Sequence, residues 1–192
     1  MNWLKRWSGD MADRFKTNSE RNAIASRLVR GKKVLDVGCG RGELMAKLKN
    51  RMVYGIDFSE KMLDSSVPNT LIASAEDMPF KNGFFDCVTA IGLIEYLKDD
   101  LAFVAESHRV LKLGGYLIIS YRNYHFKHYS GRIFEPERRV HDPYNINYVG
   151  FSLTDLVFFH KHPRKFQEEK FNHSGFILRF KKHDNYLPQN KG

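Results

Sequence analysis

The sequence predicts a doubly wound α/β domain, in which helices cover both faces of a mostly parallel β-sheet. Short apolar runs that end in glycine or aspartate, such as 33–38 and 52–57, are typical of buried strands. Segments with apolar residues at helical spacing lie between such runs, after short links. Alternating strands and helices indicate parallel strands joined by crossover helices, and sheets of this kind bind ligands at the carboxyl ends of their strands.

Five strands and four helices are predicted before residue 123. The strands are short apolar runs at 33–38, 52–57, 69–74, 84–92 and 114–122. The helices are expected at 11–30, 43–50, 59–66 and 100–112. Ser59 is a favourable N-cap for the third helix. The fourth helix is amphipathic, with one side formed by Leu101, Val104, Ala105, His108 and Leu111.

The strand–helix alternation ends after residue 123. Residues 124–150 show no clear period, and 152–162 is expected to be a helix that Ser152 caps and Pro163 stops. Two alternating runs, 165–171 and 176–182, flank the turn sequence NHSG and predict an antiparallel hairpin that completes the sheet. We therefore expect a single domain over 1–192, with a helical cap (1–33), a core (34–123), an insertion (124–151) and a closing helix and hairpin (152–182).

Composition is that of a globular protein without a membrane span. Hydrophobic residues make up 42% and charged residues 28% of 192 positions. No apolar run approaches the roughly 18 residues that a membrane span needs, and the first ten residues lack the apolar centre of a signal peptide. The two cysteines, Cys39 and Cys87, form no disulfide framework and no zinc motif. A reducing cytoplasm is the expected location.

The net charge of +9 is unevenly distributed along the chain. Residues 1–33 carry nine basic and three acidic residues, and 124–192 carry twelve and seven. The segment between them, with ten basic and twelve acidic residues, is close to neutral. Basic flanks suit an anionic substrate, RNA or acidic lipid, and a solvated lysine-rich surface is an equally good interpretation.

A glycine loop, VLDVGCGRGE at 34–43, follows the first predicted strand. A strand, a glycine loop and a helix N-terminus together form an anion site, because free backbone amides point outward and no Cβ blocks the ligand. The spacing is G-x-G-x-G rather than the G-x-G-x-x-G of dinucleotide sites. Asp57 ends the second strand, 17 residues after Gly40, where a carboxylate can accept both ribose hydroxyls. The alternatives are a simple tight turn for the loop and an N-cap role for Asp57.

Four motifs in order resemble the class I S-adenosylmethionine-dependent methyltransferases. They are VLDVGCGRGE, YGIDFSEKML, ASAEDMPFKNGFFDCVTAIGLIEYLKD and RVLKLGGYLIIS, and the resemblance covers about residues 20–123. The form that these motifs take in this sequence is similar to that of the branch that includes the ubiquinone- and menaquinone-biosynthesis methyltransferases. This resemblance implies a Rossmann-like fold, S-adenosyl-L-methionine as methyl donor and S-adenosyl-L-homocysteine as product. Because the cofactor supplies the reactivity, the protein mainly supplies approach geometry, and no metal is expected.

The resemblance also implies roles for individual residues. Asp36, Gly38, Cys39 and Gly40 resemble the loop that holds the methionine end of the cofactor, and Asp57 resembles the ribose-binding acid. Phe58 is expected beside the adenine, and Ile91 follows the fourth strand where backbone contacts the methionyl part. Arg21 matches an N-terminal arginine of the quinone enzymes only if a gap is allowed. The adenine-edge segment is Ser74, Ala75 and Glu76, where the usual first residue is Asp, so either the Ser74 hydroxyl or Glu76 is expected to meet the adenine amino group.

Candidates for a general base are less well defined. Glu95 follows the fourth strand and could act as base, orient substrate or cap local backbone. Residues 124–192 hold 14 of the 26 aromatic residues and seven of the eight histidines. His125, His128 and His141 lie just beyond the fifth strand, where the acceptor enters in this fold. His160 and His162 are two residues apart but have no partner carboxylate or cysteine at useful spacing, so a metal site is not expected there.

Three functions remain open on the sequence. The first is a methyltransferase that modifies an O, N or C atom of a small molecule, and three arginines among the aromatics suit an anionic or aromatic acceptor, namely Arg132, Arg138 and Arg139. The same arginines suit an RNA base or a lid over the cofactor. An RNA methyltransferase is the second candidate, although the chain lacks the Asn/Asp-Pro-Pro-Tyr signature of amino-methylating enzymes. The third is a non-catalytic cofactor-binding protein. The glycine spacing disfavours a nicotinamide oxidoreductase.

Overall fold

A computed structural model describes residues 19–123, 145–161 and 173–183 of the chain. Its seven-stranded sheet has the order β3-β2-β1-β4-β5-β7-β6. The strands are β1 (Lys33–Val37), β2 (Met52–Asp57), β3 (Thr70–Ile72), β4 (Phe85–Ala90), β5 (Leu111–Arg122), β6 (Phe151–Lys161) and β7 (His173–Lys182). Two α-helices are described, α1 (Ser19–Leu28) and α2 (Asp100–Val110), together with 3-10 turns at Met45–Lys47, Glu60–Met62 and Ile94–Tyr96. Among the described residues, no helix is both long and apolar enough to cross a lipid bilayer.

The sheet is parallel from β3 to β5 and antiparallel at its far end. Asp36 of β1 lies opposite Gly55 of β2 and Thr89 of β4. Strand β5 runs parallel to β4, and β7 then pairs antiparallel with both β5 and β6. All five predicted parallel strands are present, and the predicted class, a mostly parallel α/β sheet completed by an antiparallel hairpin, is confirmed.

Alternation along the strands divides the core into two clusters. On β1, Leu35 and Val37 belong to the cluster that includes Phe103 of α2. Val34 belongs to the other cluster, which includes Ala25 of α1. Because successive side chains of a strand point to opposite faces, a strand that is apolar throughout is buried on both. Leu101, which was expected on the inner side of the α2 segment, is instead 67% exposed.

The predicted helices at 43–50 and 59–66 are wrong in extent, because each is reduced to a 3-10 turn. A helix of eight residues gains few hydrogen bonds for the cost of its nucleus. In the first segment, only the bond from Ala46 N to Gly42 O has α-helical spacing, and the bonds that follow span three residues. In the second, the Asp64 carboxylate accepts bonds from both the backbone N–H and the hydroxyl of Ser66, which competes with helix formation.

The predicted closing helix at 152–162 is also wrong, because Phe151–Lys161 forms strand β6. Strand β6 pairs with β7 from Phe151 opposite Lys182 to Lys161 opposite His173. A bulge between Leu153 and Asp155 interrupts the two-residue alternation, which hid the strand pattern in the sequence. The predicted strand at 176–182 lies within β7, whereas 165–171 lies outside the described residues.

Asp86, at the start of β4, forms hydrogen bonds with the residues that begin β1 and β5 at the amino-terminal edge of the sheet. Its Oδ2 accepts bonds from the backbone N–H groups of Lys32 and Lys33, both at 2.8 Å, and Lys112 Nζ lies 2.5 Å from Oδ1. Gly31 has a φ of +78°, and a Cβ built there would lie 2.2 Å from Asp86 Cβ. Burial opposes ionisation of Asp86, but the hydrogen bonds to Lys112 and to the two backbone amides outweigh it and lower the pKa to about 2.

We expect Asp86→Asn to lower the free energy of unfolding by about 1–3 kcal/mol at pH 7, because charge-assisted bonds to three donors are weakened. The pKa of Asp86 is below its ordinary value of 3.8, so its contribution is present above about pH 4 and is lost as the pH falls towards 2. Urea unfolding between pH 2.5 and 7 measures this. Glu60→Gln, which removes one exposed carboxylate, is the matched control. A difference in the free energy of unfolding between Asp86→Asn and the unaltered protein that did not shrink at low pH would contradict this account.

Candidate cofactor site

A cavity of about 190 Å³ opens at the carboxyl ends of β1 and β2. The glycine loop after β1, the residues after β2 and β3, and the turn after β4 contribute its walls. The polar and aromatic groups that matter for binding are contributed by Asp57, Phe58, Ser74, Glu76, Tyr96 and Lys98. The cavity therefore lies at the edge of the sheet where the fold predicts a ligand.

The glycine loop is folded back against β2. The N–H groups of Gly38 and Cys39 both donate to Ile56 O, at 2.7 and 3.0 Å. Gly38 has a φ of +71°, and a Cβ built on it would lie 3.0 Å from Leu93 Cδ1. Gly40 also has a positive φ, of +50°. The loop thus needs glycine both for its backbone conformation and for the close approach of the turn after β4.

The Asp57 carboxylate joins the end of β2 to the glycine loop. Its Oδ2 accepts the Gly40 N–H at 3.0 Å, and its Oδ1 accepts the Ser59 N–H at 2.9 Å. Burial raises the pKa of Asp57, against the bonds from Ser59, Gly40 and Phe58 that lower it. Ser59 makes no side-chain cap, so Asp57 itself satisfies the start of the following turn. Asp57 also lines the cavity, so its capping role and its predicted ligand role use the same carboxylate.

Asp36 lies beneath the loop rather than on the cavity wall. It is 3% exposed, and Thr89 Oγ1 donates to its Oδ1 at 2.7 Å. Burial raises the pKa of Asp36 to about 7, the Thr89 bond lowers it, and the charge of Asp57 raises it further. A carboxyl group with a pKa near neutrality is placed to gain or lose a proton when a charged ligand binds above it.

The side chain of Cys39 packs in the core. A Cβ built on Gly55 would lie 2.7 Å from Cys39 Sγ, so the thiol occupies the space that the glycine leaves. Burial, with the nearby charges of Asp36 and Asp57, raises the pKa of the thiol far above its ordinary value. This thiol is therefore neutral and contributes packing.

The adenine-edge segment follows β3 and forms one end of the cavity. Ser74 Oγ accepts the Glu76 N–H at 3.1 Å, and Glu76 Oε1 accepts the Asp99 N–H at 3.1 Å. Ala75 lies between them on the cavity wall. Ile91, also predicted to meet the cofactor, is half-buried and packs against the core cluster on the α1 side.

Glu95 and Arg21 meet beside the carboxyl ends of β4 and β5. Glu95 Oε1 accepts the Arg122 N–H at 2.9 Å, so one oxygen of this candidate base holds the end of β5. Burial raises the pKa of Glu95, while Arg122 and Arg21 lower it. A Cβ built on Gly92 would lie 2.7 Å from Arg21 Nη1, which places the guanidinium against this turn. Burial lowers the pKa of Arg21, and Glu95 raises it.

The predicted histidines cannot be placed. His125, His128 and His141 lie outside the described residues, as do the arginines Arg132, Arg138 and Arg139. His162 also lies outside them, and the side chain of His160 is not described.

The sequence analysis did not assign to the cofactor site most of the cavity-lining residues in the turn after β4. This part of the cavity is formed by Leu93, Tyr96, Leu97 and Lys98. The signal that could have identified them is positional, because the link after each parallel strand lies at the same edge of the sheet. The Thr89–Asp36 contact was also missed, although it follows from their opposing positions on β4 and β1.

These features fit an adenosyl sulfonium. The loop offers close backbone approach, Asp57 offers a carboxylate for a ribose diol, and the segment after β3 offers polar groups for a base. A cavity of about 190 Å³ holds part of such a ligand and opens towards the rest of the site. S-adenosylmethionine carries the reactive methyl group, which the protein needs only to hold and aim.

The sequence matches a known domain family and several curated proteins. Residues 35–119 match the family described as "Methyltransferase domain". The chain is 34% identical over 142 residues to a ubiquinone biosynthesis O-methyltransferase of Thiobacillus denitrificans, which covers 65% of this chain and 61% of that protein. It is 29% identical over 133 residues to a ubiquinone/menaquinone biosynthesis C-methyltransferase of Vibrio cholerae, covering 61% and 48%. The chain thus spans about half to three fifths of the length of these relatives.

Solved structures show the same fold. A SAM-dependent methyltransferase of Thermotoga maritima superposes with a TM-score of 0.67 at 20% identity, covering 94% of this chain and 95% of that one. An S-adenosylmethionine-dependent methyltransferase of Mesorhizobium loti gives 0.63 at 16% identity, covering 85% and 99%. The resemblance inferred from the four motifs is confirmed, and the comparisons imply S-adenosylmethionine as the cofactor. Residues 35–119 therefore match a methyltransferase-domain family, in a chain whose fold is that of the class I S-adenosylmethionine-dependent methyltransferases and whose sequence is similar to the ubiquinone-biosynthesis branch.

Proposed function

We propose that the chain transfers a methyl group from S-adenosyl-L-methionine to an O, N or C atom of a small molecule. The observation that carries this proposal is the Asp57 carboxylate, which is fixed by the Gly40 N–H at the wall of the cavity. The relatives named for ubiquinone biosynthesis support a small-molecule acceptor. The acceptor side of the site also carries the charges of Arg21 and Arg122, which suit an anionic or aromatic acceptor.

Each part of the site has a separate task in this mechanism. Asp57 accepts from the ribose hydroxyls, Phe58 packs beside the base, and the loop at Gly38 and Gly40 approaches the methionyl end. These contacts hold the methyl group in line with the acceptor, so catalysis comes mainly from position. Ser74, Ala75 and Glu76 line the cavity, and Ile91 and Arg21, which lie outside that lining, are proposed to complete the cofactor contacts.

An acceptor that is protonated at neutral pH needs a base as well. Glu95 is the candidate among the described residues. Burial raises its pKa and favours the protonated form, and the carboxyl group must lose that proton before it can act as a base. Since Glu95 Oε1 already holds the Arg122 N–H, a positioning role at the end of β5 is equally consistent with its geometry. His125 and His128 remain candidates on the sequence. The two buried free thiols agree with a reducing cytoplasm as the site of action.

An RNA acceptor is the second candidate, and the basic flanks of the sequence support it. Within the described residues, exposed cations lie at both edges of the sheet. Arg30, Lys32, Lys81, Lys112 and Lys181 lie at the amino-terminal edge, whereas Arg41, Lys61 and Lys98 follow β1, β2 and β4 on the side of the cavity. Strands of five or six residues separate the two edges by roughly 17–20 Å. An anion bound at the amino-terminal edge would therefore not present a base to the cofactor. We favour the small molecule because the relatives are named for ubiquinone biosynthesis.

We expect S-adenosylhomocysteine and S-adenosylmethionine, but not NAD, to raise the melting temperature. Ligand at a hundred times its Kd stabilises the folded state by about 2.7 kcal/mol, which is roughly 5–10 °C for a domain of this size. Asp57→Asn should weaken binding at least tenfold, since one carboxylate oxygen is lost to the ribose and the loop. Glu60→Gln, on the adjacent 3-10 turn, should bind like the unaltered protein. A shift with NAD alone would reject the proposed cofactor.

We expect cell extract supplied with methyl-labelled S-adenosylmethionine to yield label in small molecules, and ribonuclease to leave that label unchanged. The extract should come from cells that lack this protein, so that its acceptor accumulates unmethylated. Label that disappears with ribonuclease would favour the RNA alternative. Binding of the cofactor without any labelled product would favour the non-catalytic alternative.

We expect Asp36→Asn to be more stable than the unaltered protein, by an amount that grows with pH. Burial raises the pKa of Asp36 from 3.8 to about 7, so the folded state binds this proton more tightly than the unfolded state. The difference in the free energy of unfolding between Asp36→Asn and the unaltered protein should therefore grow between about pH 4 and 7. Urea midpoints across that range measure the difference. Equal pH profiles for the variant and the unaltered protein would show that the pKa of Asp36 is not raised, so that Asp36 is ionised at neutral pH in the unliganded protein.

A further inference from the structure

The segment Ser74–Glu76 forms the base end of the cavity, and this placement rests on the proposed function. The sheet order places the glycine loop of β1, Asp57 at the end of β2 and Ser74 after β3 in one row. A nucleoside whose ribose meets Asp57 and whose methionyl end meets the loop must therefore extend its base towards Ser74. The groups at Ser74 and Glu76 then decide which purine the site accepts.

The Ser74 side chain is oriented by its own turn. Its Oγ accepts the Glu76 N–H at 3.1 Å, and a backbone bridge pairs Ser74 with Asp77. The accepted bond occupies one lone pair and leaves the hydroxyl hydrogen free to point into the cavity. A hydroxyl that accepts a bond is also a stronger donor, because neighbouring hydrogen bonds polarise one another. Ser74 can therefore either donate to a ligand or accept from it.

The Glu76 carboxylate is held at one oxygen. Glu76 Oε1 accepts the N–H of Asp99, the residue that caps α2. The bond fixes the carboxylate at the cavity wall and leaves its second oxygen as an acceptor. Ser74, whose hydroxyl can donate or accept a hydrogen bond, is therefore two residues from Glu76, whose carboxylate can only accept.

Two kinds of purine edge differ in what they offer this pair of groups. A 6-aminopurine presents an N–H donor at C6 and an acceptor at N1, whereas a 6-oxopurine presents an acceptor at C6 and an N–H donor at N1. The Ser74 hydroxyl can accept from the amino group or donate to the oxo group. The Glu76 carboxylate can accept from the N1–H of the 6-oxopurine but finds no donor at N1 of the 6-aminopurine, so Glu76 does not favour the 6-aminopurine. A carboxylate in place of Ser74 could only accept, and would repel the oxo group.

We propose that Ser74 relaxes the base specificity of the site, so that a 6-oxopurine nucleoside thioether binds within about tenfold of its 6-aminopurine counterpart. The donor to the oxo group is the Ser74 hydroxyl, and the acceptor from N1–H is Glu76. Lys98 and Tyr96 also line the cavity and carry groups that could donate to the oxo group.

Calorimetric titration of S-adenosyl-L-homocysteine and S-inosyl-L-homocysteine tests this proposal without any turnover. The unaltered protein should bind the two within about tenfold. Ser74→Asp should keep or strengthen binding of the adenosyl compound and weaken the inosyl compound at least tenfold, since mismatched polar groups typically lose ten- to a hundredfold in affinity. Ser74→Thr, which keeps the hydroxyl, should preserve the ratio of the two Kd values.

Three results would overturn the proposal. One is an inosyl compound that binds the unaltered protein more than a hundredfold more weakly than the adenosyl compound. Another is a ratio that Ser74→Asp leaves unchanged. The third is a ratio that changes in Lys98→Met but not in Ser74→Asp, which would assign the donor to the lysine. If neither compound binds, the proposed cofactor is itself wrong, so failure of the proposed function is distinguishable from failure of this inference.

Discussion

The bond from the Gly40 N–H to the Asp57 carboxylate determines the shape of the candidate site. It holds the glycine loop after β1 against the end of β2, while Ile56 O accepts the N–H groups of Gly38 and Cys39. The same carboxylate fixes the turn that begins at Ser59. The loop, the turn and the cavity wall therefore depend on one side chain at the end of one strand.

Two aspartates at opposite edges of the sheet show how function and stability are divided. Asp86 at the amino-terminal edge has three donors, and its lowered pKa indicates that its charge stabilises the fold. Asp36 near the carboxyl edge has one donor in Thr89, and burial raises its pKa to about 7. A buried carboxyl group with a single hydrogen-bond donor contributes little to the stability of the fold.

The sequence predicted the parallel sheet well, because β1, β2 and β4 are apolar runs buried on both faces. It failed where the local pattern was misleading. The bulge in β6 between Leu153 and Asp155 interrupts strand alternation, and the segments after β1 and β2 have helical spacing but too little length for a helix. In the site, Asp57 and Ser74 were predicted because each follows a strand in a recognised motif. Tyr96 and Lys98 lie within one of the four motifs, and their place in the turn after β4, at the same edge of the sheet, brings them to the cavity.

The donor half of the site is built mainly from backbone and from the ends of three adjacent strands. Such a framework tolerates change in most side chains, so similarity over residues 35–119 identifies the methyltransferase domain at modest identity. The family match ends at residue 119, before the segment that follows β5. Beside the carboxyl ends of β4 and β5, Arg21 lies against Gly92 and Glu95 Oε1 accepts the Arg122 N–H, and both side chains are half-buried. If the acceptor approaches from this side, as we propose, the charges of these groups act on it.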